Sequence, residues 1–214
     1  RKQHVMPDMV QIGNEVSAGM MWPEGKLPAQ WENFTGLLRA GIHGVDKGRG
    51  WSRRPLIMIH IDKGGNKEAT KWFLDHLAQY HVSYDVLGQS FYPWWHGSLD
   101  DLKDNLAFTW NTYHKNVVVV ETAYDWRSGE DFKSKPVPYP QTPEGQRDFL
   151  AALDRVVSEA PGGKLRGIFW WEPMAGGSIA RRALFDDQYE ALPAIHVFDL
   201  PSRGKARKDN PAIP

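Results

Sequence analysis

VVVVE, at residues 117–121, is a run of four β-branched residues that ends abruptly in a carboxylate, Glu121. A continuous apolar run, unlike an alternating one, is typical of a strand that is covered on both faces in a parallel sheet. The chain contains four more runs of this kind: MVQIGN (9–14), LIMIH (56–60), DVLGQSFY (85–92) and GIFWW (167–171). We therefore predict five parallel strands.

Helical patterns occupy the intervals between these runs. Apolar residues recur at 3.6-residue spacing in the intervals 34–45, 73–80, 99–113 and 149–157. Ser98 with Asp101 three residues later predicts a capping box at the start of the third pattern. Thr142 as N-cap, Pro143 at the first helical position and Glu144 in the first turn mark the start of the fourth. Strands that alternate with helices predict an α/β fold with a parallel sheet.

Two architectures can be built from five such units: a doubly wound sheet, or part of a (β/α)₈ barrel. A doubly wound sheet usually carries a glycine-rich phosphate-binding turn after its first strand. Here that turn reads GNEVSAGMMWP (13–23), which contains neither GxGxxG nor GxxxxGK[ST]. The alternative is part of a barrel, whose chemistry gathers where the strands end.

Composition excludes several classes of function. Lys and Arg number 26 against 26 Asp and Glu among 214 residues, and this balance argues against a nucleic-acid groove. No run of 18 apolar residues is present, so no membrane span is predicted. The absence of cysteine excludes disulfides and thiol chemistry. Ten Trp and seven Tyr are either large core residues or stacking platforms for sugars.

Polar and aromatic side chains gather at the carboxyl ends of the predicted strands. They are Asn14, Glu15, His60, Ser90, Tyr92, Glu121, Trp171 and Glu172. In a barrel these ends meet on one face, so residues that are far apart in the chain come into contact. Glu15 would then look into a cleft opposite Glu121.

Two carboxylates that face each other across a sugar-sized gap suit the cleavage of a glycosidic bond. One carboxyl must be protonated to release the leaving oxygen, and the other must be ionised to meet the developing cation. Their mutual repulsion raises the pKa of one of them, so the pair shares a single proton. A lone strand-end glutamate more often caps its strand or pairs with an arginine, but two of them with aromatic residues nearby favour the glycosidase interpretation.

Nine segments of the chain occur together and in order: DMVQIGNE, GMMWP, LLRAGIHGV, IMIHID, YDVLGQSFYPWWHG, VVVVETAYDW, YPQTPEGQRDFL, FWWEP and ALFDDQYEALPAIHVF. Together they resemble glycoside hydrolase family 53, the endo-β-1,4-galactanases that act on arabinogalactan. These enzymes belong to clan A of the (β/α)₈ glycosidases. The resemblance extends over residues 6–198, whereas an NE or ET dipeptide alone would indicate only the clan.

The resemblance implies a role for each carboxylate. Glu15, at the end of the fourth barrel strand, would be the acid/base, and Glu121, at the end of the seventh, the nucleophile. Asn14 would hydrogen-bond the sugar 2-hydroxyl beside the scissile bond. Members of the clan retain the anomeric configuration, so the two carboxyl groups should lie roughly 5 to 5.5 Å apart.

The resemblance also implies further residues that line the cleft. His60 and Asp62 are candidates for contacts with sugar hydroxyls, and Tyr92 for orienting Glu121. The alternative for His60 is a packed histidine that is satisfied by a neighbouring carboxylate. The family usually shows Tyr-Tyr-Pro where this chain has Phe-Tyr-Pro, so the first aromatic position is an alternative to Tyr92. Trp171 is the predicted floor of the cleavage site, because sugar CH groups stack on an aromatic face. The predicted substrate-binding residues are Asn14, His60, Asp62, Ser90, Tyr92, Trp95 and Trp171.

The resemblance begins just before the fourth strand of the family's eight. We therefore expect residues 1–200 to be the C-terminal portion of a (β/α)₈ TIM-barrel catalytic domain, strands 4 to 8 with their helices, followed by a tail at 201–214. Five strands leave two open edges, so closure would need the missing N-terminal barrel segment. The implied partner is β-1,4-galactan, or type I arabinogalactan, and the implied location is outside the cell or on its surface.

Calcium is the one metal that the resemblance raises. Some bacterial relatives tie the loops after the seventh and eighth strands together with a calcium ion, through an Asp-x-His-x-Asn pattern. The segment DWRSGEDFKSKPVPYP (125–140) offers Asp125, Glu130 and Asp131 but not that pattern. We predict no cofactor and no metal. Two other hypotheses stay open: a weak or inactive galactan-binding fragment, and another clan A hydrolase acting on mannan, xylan or glucan.

Overall fold

The structure is a computed structural model that describes residues 6–133, 135–163 and 165–199. Its strands are β1 (Met9–Ile12), β2 (Gly19–Met20), β3 (Gly25–Lys26), β4 (Leu56–Ile61), β5 (Val86–Phe91), β6 (Asn116–Thr122) and β7 (Ile168–Trp170). Its α-helices are α1 (Trp31–Arg49), α2 (Lys67–Gln79), α3 (Pro93–His96), α4 (Leu99–Tyr113) and α5 (Pro143–Glu159). Three 3₁₀ segments follow β1 and β7, at Val16–Ala18, Gly177–Arg182 and Pro193–Asp199.

The main sheet has five parallel strands in the order β1-β4-β5-β6-β7. A doubly wound sheet reverses its strand order at a switch point, whereas a barrel adds each new strand beside the previous one. The order here follows the chain throughout, and the sheet curls as half of a barrel. The predicted fold class, a partial (β/α)₈ barrel, is confirmed.

Both faces of the central strands β4, β5 and β6 are covered, as the continuous apolar runs predicted, whereas Phe169 on the edge strand β7 is exposed. Ile57 and Ile59 on β4 point outwards into the large core formed with the helices, which also contains Phe34 and Phe73. Their neighbour Met58 points inwards, where it packs in a smaller cluster with Val86, Val118 and other inner residues. Because these central strands are buried on both sides, they lack the period-two alternation of a half-exposed sheet.

The two helix starts that were predicted from capping residues are confirmed. Thr142 Oγ1 accepts a hydrogen bond from the amide of Gly145 at 3.1 Å at the start of α5. At the start of α4, Ser98 Oγ accepts from the Asp101 amide at 3.1 Å and the Asp101 carboxylate accepts from the Ser98 amide at 2.8 Å. Each such cap stabilises its helix by about 1 kcal/mol.

Three of the five predicted strands are one or two residues too long at an end, whereas those at 56–60 and 117–121 extend one residue further than predicted. The run at 9–14 ends as a strand at Ile12, because Gly13 and Glu15 have positive φ angles of 80° and 46° and turn the chain away. The runs at 85–92 and 167–171 shorten to β5 and β7. The antiparallel pair of β2 and β3 was not predicted, since each strand has only two residues.

Residues 201–214 lie outside the described residues, so the predicted domain boundary after residue 200 stays a prediction. Within the described ranges, no helix has both the length and the apolar character that a membrane crossing requires.

Candidate active site

A tight turn after β1 carries the first carboxylate into the cleft. A Cβ atom on Gly13 would come within 2.5 Å of Val16 Cγ1, so this turn requires glycine. Glu15 follows in the left-handed region, with φ 46° and ψ 50°, at the N-cap of the 3₁₀ segment Val16–Ala18. A left-handed residue other than glycine is uncommon, and such backbone conformations cluster at functional sites.

An irregularity in β6 turns the second carboxylate to the same side. Gln89 pairs with Val119, but the next residue, Ser90, pairs with Glu121, so β6 carries one extra residue at this point. Without it, Glu121 would share the outward direction of Val119 and point into the buried core. With it, Glu121 lies half-buried at the carboxyl end of the inner face.

The two carboxylates meet although 105 residues lie between them. One carboxylate oxygen of Glu15, one of Glu121 and a ring nitrogen of His60 all lie within 4.8 Å of one another. This separation is close to the roughly 5 to 5.5 Å of retaining glycosidases, and it is shorter than the roughly 6.5 to 9.5 Å of inverting ones. The two carboxylates are therefore close enough to act on a single bond.

Glu121 is held by two hydrogen-bond donors. The Tyr92 hydroxyl donates to Glu121 Oε2 at 3.1 Å, and the Asn14 side chain also donates to this carboxylate. Burial and the charge of Glu15 raise the pKa of Glu121 above its usual value, whereas these two hydrogen bonds lower it. Burial also raises the pKa of Tyr92, which therefore remains a donor. The preceding position, Phe91, is wholly buried and does not replace Tyr92.

His60 and Ser90 lie beside the carboxylates but below the cleft surface. Both side chains are wholly buried, which disfavours direct contact with a sugar, and their assignment to substrate binding stays a prediction. Ser90 Oγ lies 2.6 Å from Glu15 Oε1 and 2.9 Å from His60 Nε2. Burial lowers the pKa of His60 to about 4, so the ring is neutral at ordinary pH.

Aromatic rings line the cleft around Tyr92. Trp95 packs edge-on against Tyr92 with ring centroids 5.6 Å apart, and 60% of its surface is exposed. Trp171 packs edge-on against Tyr92 from the other side at 6.5 Å and is half-buried. Both tryptophans therefore border the carboxylate pair and offer ring surface to a ligand.

A groove of about 790 Å³ begins at Glu15 and runs towards α2 and α4. Asp62, one of the predicted contacts, lines it together with Trp95 and Tyr92. His96 also lines it, and this residue was missed by the sequence analysis. Its ring Nδ1 lies 3.0 Å from the Ser90 carbonyl and 3.1 Å from the Tyr92 amide, so it braces the end of β5.

Comparison with known proteins identifies the family of this chain. The model of glycosyl hydrolase family 53 matches residues 1–198. The chain belongs to this family. Family 53 membership confirms the resemblance on which the roles of Glu15 and Glu121 were predicted.

Individual relatives agree with the family 53 assignment. A protein of Niallia circulans without an assigned function is 41% identical over 189 residues, which are 80% of this chain and 51% of that protein. An arabinogalactan endo-β-1,4-galactanase of Thermothelomyces thermophilus is 34% identical over 212 residues, 91% of this chain and 62% of the enzyme. The solved GH53 catalytic domain of Ignisphaera aggregans matches with a TM-score of 0.83 at 33% identity, over 93% of this chain and 60% of that domain. The chain thus spans between 51% and 62% of these relatives' length.

A charged cluster ties together the loops after β6 and β7 in this family 53 chain. Arg182 donates to both oxygens of Asp131, at 2.5 and 2.7 Å, and Arg181 lies 2.9 Å from Asp131 and 3.4 Å from Asp125. Burial raises the pKa of Asp131, but hydrogen bonds from the two arginines lower it and hold it below its usual value. Two guanidinium groups already face these carboxylates and compensate their charge. The absence of calcium from this loop stays a prediction.

The cluster gives a testable dependence of stability on pH. Burial and the neighbouring Asp131 raise the pKa of Asp125 to about 7, whereas the unfolded chain releases this proton at about pH 4. Between these values the unfolded state binds fewer protons, so this group makes the folded state less stable as the pH rises, by up to about 1.4 kcal/mol per pH unit. We expect Asp125→Asn to flatten this dependence, because the amide does not titrate. The amide still pairs with Asp131 and Gln141, so the local structure is kept.

Urea unfolding of both proteins at several pH values between about 4.5 and 7 measures the difference. The buried His60, whose pKa is lowered, contributes an opposite slope in this window. That slope is common to wild type and variant and cancels when the two are compared. If the free energies of unfolding of the two proteins changed in parallel with pH, Asp125 would not carry the raised pKa.

Proposed function

We propose that this chain carries the catalytic centre of a retaining endo-β-1,4-galactanase, with Glu15 as acid/base and Glu121 as nucleophile. The observation that carries the proposal is the approach of the two carboxylates to within 4.8 Å in a chain of family 53. The galactanase name of the Thermothelomyces thermophilus relative supports galactan as the substrate.

The first half of the reaction forms a glycosyl-enzyme. Glu121 attacks the anomeric carbon while Glu15 gives its proton to the leaving oxygen, and the glycosidic C–O bond breaks as the new ester bond forms. Tyr92 and Asn14 hold Glu121 in place and favour its ionised form before attack. Asn14 is exposed and lies at the same end of the sheet, which supports its assignment to the sugar 2-hydroxyl.

The second half returns the enzyme to its starting state. Glu15, now ionised, takes a proton from water, and the water oxygen attacks the anomeric carbon and displaces Glu121. Two displacements at one carbon retain the configuration. Trp171 and Trp95 would stack on the galactose faces beside this centre, and Asp62 would accept hydroxyl hydrogen bonds within the groove.

The polymeric substrate and the rest of the barrel belong to the same proposal. A galactan chain cannot enter a cell, so we infer that the protein acts outside the cell or at its surface. Relatives carry additional length beyond this chain, and we infer that an N-terminal barrel segment closes the sheet edge at β1 and completes the cleft. Without it, the same aromatic cleft would bind galactan weakly and turn it over slowly.

A comparison of substrates tests the proposed function. We expect cleavage of β-1,4-galactan, with β-configured reducing ends first, and at least about 100-fold lower kcat/KM on mannan and xylan, whose hydroxyl orientations or ring substituents differ. The measurement is product analysis by chromatography and NMR on the three polymers. It uses the chain alone and the chain joined to the first three βα units of a relative.

Each outcome selects one hypothesis. Cleavage of mannan or xylan in preference to galactan would identify another clan A hydrolase. Binding of galactan without cleavage by either form would leave only a sugar-binding fragment. Products with inverted configuration would exclude Glu121 as a nucleophile.

A further inference from the structure

A short series of hydrogen bonds links the two carboxylates through two buried side chains. Ser90 Oγ lies 2.6 Å from Glu15 Oε1 and 2.9 Å from His60 Nε2. On the other side of the ring, His60 Nδ1 lies 3.1 Å from Asn14 Oδ1. Because His60 and Ser90 have no exposed surface, their protons must be shared within the series.

The neighbours of Asn14 fix the orientation of its amide. Gln11 donates Nε2–H to the carbonyl of Gly13 at 2.8 Å and to Asn14 Oδ1 at 3.3 Å, so Oδ1 is an acceptor. The Asn14 side chain also donates to Glu121, which only its Nδ2 can do. Oδ1 therefore faces His60, and Nδ1 of that ring must carry the hydrogen.

One ring proton then decides the remaining hydrogen bonds. His60 is neutral, so with Nδ1 protonated its Nε2 is an acceptor and takes the hydroxyl hydrogen of Ser90. An ionised Glu15 would accept this hydrogen from Ser90, but a hydroxyl that donates to His60 cannot also donate to Glu15. In this tautomer, therefore, the 2.6 Å contact has Glu15 as the donor. The Glu15 backbone amide, 3.4 Å from Nδ1, favours the other tautomer, but it is the longest contact in the series.

Resting on the proposed function, we propose that His60 is a positioning residue of the reaction. Its Nδ1–H tautomer, acting through Ser90, holds the proton on Glu15 and keeps that carboxyl in the acid form. When Glu15 protonates the leaving oxygen, the Ser90 hydroxyl rotates from His60 Nε2 to the new carboxylate. When Glu15 takes the proton of water, the hydroxyl rotates back. Ser90 and His60 keep their own protons throughout, so the cycle is balanced.

The tautomer can be measured without turnover. We expect ¹⁵N NMR of the histidine rings at about pH 6 to show Nδ1 of His60 protonated and Nε2 bare. The His60 signals are assigned by their loss in His60→Gln. Glu15→Gln should keep the same tautomer, because its amide donates to Ser90 as a protonated carboxyl does. A protonated Nε2 in the wild type would overturn the proposal and leave the proposed function untouched.

Kinetics separate positioning from a structural role. We expect Ser90→Ala to lower kcat/KM by about 10-fold or more on phenyl β-1,4-galactobioside, but by less than about 3-fold on the 2,4-dinitrophenyl analogue, whose leaving group departs without a proton. Equal losses on both substrates would overturn the proposal. Ser90→Thr, which keeps the hydroxyl, should restore kcat/KM on phenyl β-1,4-galactobioside. Thr109→Val, which removes a buried hydroxyl from α4, should match the wild type. A wild type inactive on both substrates would count against the proposed function, and the NMR result would still decide the tautomer.

Discussion

Glu121→Gln is expected to lower kcat on galactan by at least about 10⁴-fold, because the amide cannot act as a nucleophile and the covalent route closes. Binding of galacto-oligosaccharides should stay within a few-fold of wild type, since the amide fills the same space and still accepts from Tyr92. Steady-state rates together with calorimetric titration measure both quantities. Glu172→Gln, which alters an exposed glutamate after β7, should leave both unchanged. A variant that keeps more than about a tenth of the wild-type kcat would exclude Glu121 as the nucleophile.

Added azide distinguishes the roles of the two carboxylates. In Glu121→Ala, azide can enter the space of the missing side chain and displace an activated leaving group, which gives an α-galactosyl azide. In Glu15→Ala, an activated substrate still forms the glycosyl-enzyme, and azide then attacks from the opposite face to give the β-azide. NMR of the products therefore assigns nucleophile and acid/base separately, and the reverse pattern would exchange the two roles.

Features that depend on neighbouring residues in the chain could be predicted from the sequence. The continuous β-branched run at 117–121 indicated a strand covered on both faces, and β6 is such a strand. Ser98 and Thr142 marked helix starts because capping is a contact between residues three apart. The meeting of Glu15 and Glu121 also followed, since parallel strands in a barrel bring their carboxyl ends to one face.

The burial and the direction of side chains within the site could not be predicted in this way. His60 stands at the end of a strand, as Glu15 does, but its burial depends on the turn at Gly13, which brings Glu15 against its ring, and on Ser90 in β5. The direction of Glu121 depends on one extra residue in β6, which reverses the period-two rule at that point. Neither feature leaves a signal in the composition or spacing of the chain.

The pairing of Arg182 with Asp131 is the clearest contact that the sequence analysis missed. The two residues stand 51 positions apart on loops that follow different strands, and no periodicity relates loop residues. Arg182 also lies over three tryptophan rings, 5.0 Å from Trp94, 5.9 Å from Trp95 and 5.6 Å from Trp171. A single cation thereby joins a buried carboxylate to the aromatic wall of the cleft.

Arg182→Met is expected to lower the free energy of unfolding by about 3 to 5 kcal/mol, because it leaves the buried charge of Asp131 without its bidentate partner. The side chains of Arg182 and Asp131 are 9% and 8% exposed, so water cannot replace the lost contact. Urea unfolding followed by tryptophan fluorescence measures the loss and also the changed surroundings of Trp171. Arg182→Lys should fall between wild type and Arg182→Met, since lysine keeps the charge but not the planar fork.

The exposed pair of Arg127 and Asp187 provides the matched control for this prediction. It joins the same two loops, but its side chains are 41% and 51% exposed, so Asp187→Asn should cost less than about 1 kcal/mol. Asp131→Asn keeps an acceptor for Arg182 but leaves that buried guanidinium without its counter-charge, so it should also cost more than Asp187→Asn. If Arg182→Met and Asp187→Asn cost the same, the buried pair would add no more than a surface contact. Trp95 and Trp171 would then depend on their own packing against Tyr92 for their positions.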